Sequence, residues 1–188
     1  MKKEQYSKHI TLYTLIFIAF ILFLGNTSRA YDIQNKLKAQ KKRIKVNQYT
    51  DTEHNYKITT PKFWKHSFLL DGTDHIRAFL SPDKNIVLKI RSFTVDSNVT
   101  VELLRKVFEQ KILIGVNLVD SKTGFVDNIP TSIGAYITVF NNITIGIGAV
   151  YFIHSGIAYI VWTTIPEYML KLRSKDIDAI INTFKFIK

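Results

Sequence analysis

Cysteine is absent from all 188 residues, which excludes disulfides, thiolate nucleophiles and cysteine-bound zinc. Hydrophobic residues make up 46% of the chain, the content of a packed domain rather than a disordered one. The net charge of +11 is unevenly spread: residues 1–50 hold ten Lys or Arg and two acids, whereas 51–188 hold 16 basic and 13 acidic residues, so a nucleic-acid interface is not expected.

Ile10 to Gly25 is an uncharged run of 16 residues, preceded by Lys2, Lys3 and Lys8. As a helix it spans roughly 24 Å, short of the ~30 Å hydrocarbon core of a bilayer. It is slightly longer than the ~7–15-residue apolar region of a signal peptide. Ser28 and Ala30 are small residues two apart, a pattern that fits cleavage after Ala30, although Arg29 sits between them. Residues 1–30 are therefore expected to form a hydrophobic helix that is either a signal peptide or a membrane anchor, with residues 10–25 in the membrane if it is uncleaved. A basic spacer follows over 31–48. Its cluster of Lys36, Lys38, Lys41, Lys42, Arg43 and Lys45 suits a solvated linker or the headgroups of anionic lipids. Basic residues on both sides of the apolar run leave its orientation open.

A single domain is expected over 49–188. "NYKITTP" reads as a strand stopped by proline. In "FWKHSFLLDGTD", Trp64, His66, Phe68 and Leu70 alternate onto one face, and residues 71–74 make a turn into the partner strand "HIRAFLS". "NIVLKIRSFTV" is a further strand, with Ile86, Leu88 and Ile90 on one side and Lys89 and Arg91 on the other. The period then changes to 3.6: Val101, Leu104, Phe108 and Ile112 make a helical stripe that Thr100 or Asn98 can cap. "NLVDSKTGFVD" is extended. From Ile133 to Ile165 three apolar strands are divided at Asn141-Asn142 and at His154-Ser155-Gly156. Pro166 opens a closing helix with Leu170, Ile177, Ile180 and Ile181 on its apolar face. Strands joined by hairpins, with two helices among them, argue an α+β domain: an antiparallel sheet flanked by helices.

Four stretches in this order resemble the PsbP-like superfamily, which includes Mog-type and DcrB-type domains: "YKITTPKFW", "NVTVELLRKVFEQ", "GAYITVFNNITIGIGAVYFIHSGIAYIVWTT" and "YMLKLRSKDIDAIINTFKFI". The resemblance covers roughly residues 55–188. It implies an α/β/α sandwich around an antiparallel sheet. It also implies a non-enzymatic role in binding and assembling other proteins, often outside the cytoplasm. No metal site or partner surface carries over to residues of this chain.

The residues themselves offer little reaction chemistry. The best metal set is His66, Asp71, Asp74 and His75 on one predicted hairpin, since imidazole and carboxylate together suit a transition metal. Asp and Gly are also what the turn itself requires, and the polar turn is the preferred reading. Ser155 beside His154 reads as a turn rather than a nucleophile and base. Gly146-x-Gly148 lacks the rest of a phosphate loop and reads as a bulge or close-packing site. Trp64 and Trp162 read as core or interface residues before ligand-groove residues. The expectation is a bacterial, exported or membrane-tethered cell-envelope domain that recognises an unidentified protein partner, without catalysis or cofactor. The alternatives are a metal-dependent hydrolase using the 66–75 hairpin and a binder of anionic membrane surfaces acting through the spacer.

Overall fold

The computed structural model describes residues 46–71 and 74–187, with the side chains of 68–75 left out of that description. The expected N-terminal helix, the cleavage position Ala30 and the basic cluster lie outside the described residues. Among the described residues no helix is long and apolar enough to cross a membrane.

The chain forms β1 (Val46–Asp51), β2 (Tyr56–Pro61), β3 (Lys65–Asp71), β4 (Asp74–Leu80), β5 (Val87–Thr94), α1 (Val101–Lys111), β6 (Asn117–Val126), β7 (Ile129–Phe140), β8 (Ile143–His154), β9 (Ile157–Pro166), α2 (Glu167–Ile181) and β10 (Lys185–Phe186). Residues 46–48, expected in the spacer, belong to β1. Seven strands make one sheet in the order β3-β4-β5-β9-β8-β7-β6, and β1-β2-β10 make a second, with the described pairings antiparallel. One row of register partners crosses all seven strands: Lys65, Leu80, Val87, Thr164, Ile147, Tyr136 and Leu118.

Three successive hairpins, β6 to β9, turn on two residues each: Asp127-Asn128, Asn141-Asn142 and Ser155-Gly156. All six residues have positive φ, the backbone of a turn whose twist matches that of the strands it joins. Two of these turns are the ones expected. The first was hidden because Pro130 argues against a strand at that point. Pro130 is tolerated because it lies at the start of β7.

Alternation along the strands divides the core into two layers. On one face Leu104 and Phe108 of α1 pack with Tyr136, Ile147, Tyr151, Ile160 and Trp162. Ile112, expected on this stripe, follows the helix as its C-cap and is exposed. On the other face Phe152 stacks on Tyr159, and Phe184 stacks on Tyr56 of the small sheet. There α2 brings Ile177, Ile180 and Ile181 against β8, β9 and β2. The result is the expected sandwich, with part of one outer layer supplied by the small sheet. Leu170 of α2 lies directly over Gly146, where a Cβ would come within 3.0 Å of its Cδ1, so Gly146 is a close-packing site.

Candidate binding surface

The backbone register sets His66 apart from the other three residues of the predicted metal set. His66 pairs with Phe79, whereas Asp71 pairs with Asp74 and His75 with Leu70. Five steps along the strand separate His66 from Asp71, about 16 Å at ~3.3 Å per residue. The His66 ring instead packs on Tyr49 and Phe79, with centroids 4.5 and 5.1 Å away. Burial lowers its pKa, and the nearby Arg77 guanidinium lowers it further. Asp71 and Asp74 are register partners at the end of the hairpin. Both tryptophans are core residues. Trp162 has Phe108 edge-on at 5.3 Å and the Lys89 ammonium 5.6 Å from its ring.

A different cluster, not foreseen from the sequence, forms where β1 turns into β2. Ligand atoms of Asp51, Glu53 and His54 lie within 4.8 Å of one another, the proximity a metal site needs. The bonding argues against that use. Asp51 Oδ1 accepts the His54 backbone N–H at 2.9 Å and contacts His54 Nδ1 at 3.2 Å. Its Oδ2 accepts from Arg77 Nε at 3.3 Å and from the Tyr49 hydroxyl at 3.2 Å. Both carboxylate oxygens are engaged, and a cation would sit beside a guanidinium. Burial alone would raise the Asp51 pKa, but the bonds from His54 and Arg77 outweigh it and hold the carboxyl below its ordinary range. The His54 carbonyl accepts the Tyr159 hydroxyl, and so the cluster latches the small sheet to β4 and β9. The sequence signal was "DTEH", a carboxylate three residues before a histidine at a turn.

A second network lies under α1. The Tyr136 hydroxyl donates to Glu109 Oε1 at 2.7 Å and lies 2.9 Å from the Tyr151 hydroxyl. Arg105 joins Glu102 at 2.6 Å and donates to Ser132 Oγ at 3.3 Å. Burial raises both tyrosine pKa values, so these phenols stay protonated donors at any physiological pH.

Beside this network, the first turn of α1 and the β6–β7 hairpin enclose an open cleft of about 370 Å³. Val101, Phe125 and Pro130 give it apolar walls, and Thr100, Thr123 and Ser132 bring hydroxyls. Phe125 is 73% exposed, and Thr131 is buried with its Oγ1 lacking a hydrogen-bond partner. The cleft borders β6, an edge strand that among the described residues is bonded only to β7, with a bulge between Leu118 and Asp120. Open backbone groups along an edge can pair with an extended segment.

No known family's sequence model matches this chain, and no curated protein matches it in sequence. Solved structures do match. The solution structure of cyanobacterial PsbP (CyanoP) from Synechocystis sp. PCC 6803 superposes with a TM-score of 0.64 at 12% identity, covering 76% of this chain and 93% of that one. The chain has the PsbP-like fold. A crystal structure from Bacteroides thetaiotaomicron matches with a TM-score of 0.52 at 14% identity, covering 75% of this chain and 48% of that protein. This chain therefore spans about half of the Bacteroides protein, and nearly all of CyanoP has a counterpart here. At such identities the likeness is one of PsbP-like architecture, and function has to be argued from the surface.

Proposed function

We propose that this chain is a non-catalytic, exported or membrane-tethered domain of the cell envelope that works by recognising another protein. The observation that carries the reading is the cleft beside β6. It combines an exposed aromatic residue, apolar walls, a few hydroxyls and a strand edge left open among the described residues. Exposed aromatics beside a shallow pocket are typical anchors for a partner chain. The clusters of titratable side chains at Asp51 and Tyr136 are bonded internally, which favours a structural role for them over acid–base work. The apolar run before residue 30 supports the envelope location.

The test is a photo-crosslinking amino acid placed at Phe125 of the full chain in its native cells. A discrete adduct is expected there, and none from the exposed control position Lys175. Turnover of a small substrate by the purified chain, abolished by single changes in the cleft, would sink the proposal.

A further inference from the structure

Several of the exposed apolar side chains gather at one end of the domain, although Leu103, Val107, Phe125 and Leu172 are exposed outside that group. The row from Lys65 to Leu118 divides the large sheet into two ends. Beyond it on one side lie the residues before β3, the β4–β5 loop, the β7–β8 tip, the segment before β6 and the start of α2. Phe63, Ile114, Val139, Phe140, Ile143 and Tyr168 stand exposed at this end, three of them at the β7–β8 tip and each of the others on a separate segment. Exposed Lys62, Lys65, Lys84, Lys111 and Lys171 are interspersed with them. Its carboxylates are Glu167 and Asp83, and Asp83 is already paired with Arg173 at 3.1 Å. The opposite end holds the turns that carry Asp71, Asp74 and Asp127, together with Asp96 and Glu102. Finally, Val46 pairs with Pro61, which begins the turn leading through Lys62 and Phe63 to Trp64. Val46, which the basic cluster and the apolar run precede in sequence, therefore lies at this same end.

We propose that this end docks on the surface of an anionic lipid bilayer. Protein interfaces are depleted in lysine at their centres. A membrane interface favours bulky apolar and aromatic groups on projecting tips with lysines among them, whose heads reach the phosphates. The charge asymmetry of the domain orients it in the same sense, and Val46 lies on the side that faces lipid. Docked this way, the domain presents the β6 cleft, at the first turn of α1, away from the bilayer.

The lack of cysteine permits single labels. The full chain carrying Phe140→Cys or Phe125→Cys, tagged with an environment-sensitive fluorophore, is reconstituted in vesicles of phosphatidylcholine with or without phosphatidylglycerol. Both variants alter exposed side chains, and thermal unfolding checks their fold. In anionic vesicles the label at 140 is expected to shift to the blue and to be quenched by nitroxide-bearing lipid, while the label at 125 answers only to aqueous iodide. Charge reversal at Lys62, Lys111 and Lys171 is expected to weaken docking by about tenfold or more. Equal iodide quenching at both positions overturns the proposal. So does a position 140 that is shielded from iodide yet not quenched by nitroxide-bearing lipid, which would mark a protein interface, or docking that ignores phosphatidylglycerol and the lysines.

Discussion

At the scale of single residues, Gly134 carries more than its size suggests. The Tyr136 side chain folds back over it, and a Cβ at Gly134 would lie 2.1 Å from the phenol oxygen and 2.5 Å from Cζ. Tyr136 is 2% exposed and tied to Glu109 and Tyr151, and its ring cannot move without breaking those bonds. Gly134→Ala is expected to cost about 2–3 kcal/mol, the range of a clash in a packed core, as read by urea unfolding. Tyr136→Phe keeps the ring but removes the bonds to Glu109 and the buried Tyr151 hydroxyl, and should cost about 1–3 kcal/mol. Nothing in "SIGAYI" announces this, because the contact depends on a rotamer rather than on spacing. The Asp51 latch was equally hidden, since its partners Arg77 and Tyr159 lie far along the chain. The hairpin between β3 and β4, with Asp71 paired to Asp74, was legible, as turn chemistry is local. The separation of His66 from that pair was not, because the register places His66 near the far end of the hairpin.

Elements were readable in proportion to their length and amphipathicity. The stripe of α1 and its cap were visible: Thr100 Oγ1 accepts the Leu103 N–H at 3.1 Å. Thr100→Ala should cost about 1 kcal/mol, restored in large part by Thr100→Ser, in the same unfolding assay. Thr100 also lines the cleft, and so its loss should weaken partner crosslinking at position 125 more than that modest cost implies. The central strands were visible through their apolar alternation and turns. The first strand, "VNQYTD", has too few apolar residues to show a period, and β10 is two residues long. Both owe their conformation to β2, which lies between them, rather than to propensity. The cleft was missed for a related reason. Val101 and Phe125 read separately as a helix residue and a strand residue, and only the packing of α1 over β7 brings them together.

For the molecule as a whole, stability should depend on pH through carboxyls perturbed in opposite directions. Asp178 is buried on α2 with Oδ1 unbonded. Burial pushes its pKa up to about 7, against the pull of Lys122. A carboxyl whose pKa is raised by folding binds more protons when folded. Its contribution therefore erodes stability as pH rises from about 4, its unfolded value, to about 7. Asp51 and Asp127, held below their ordinary range, act the other way: their stabilisation is present above about pH 4 and is lost as pH falls. Stability should therefore peak in mild acid. Asp178→Asn removes the alkaline limb, with a gain on the order of 2–4 kcal/mol at pH 8 and little change at pH 4.5, measured by urea unfolding at the two pH values. A wild-type profile flat between pH 4.5 and 8 would contradict this. The α+β class was readable from the order of elements, and the sandwich was implied by the resemblance to the PsbP-like superfamily. The charge polarity of the two ends was not, because it exists only once strands far apart in sequence are set side by side.

The small sheet has a consequence for the order in which the chain can mature. Its first two strands leave any machine that delivers the chain from its N-terminus early, yet its third strand is Lys185–Phe186. The Thr183 hydroxyl accepts the Thr59 N–H at 2.8 Å, across 124 residues, while its single proton is shared between the carbonyls of Ile180 at 2.6 Å and Thr59 at 3.1 Å. Until that distant piece arrives, the Tyr56 ring has no Phe184 to stack on and the aromatic layer stays open. A domain closed by its last-delivered strand stays unlocked through most of its passage, a state suited to threading through a narrow translocation pore before folding on the far side.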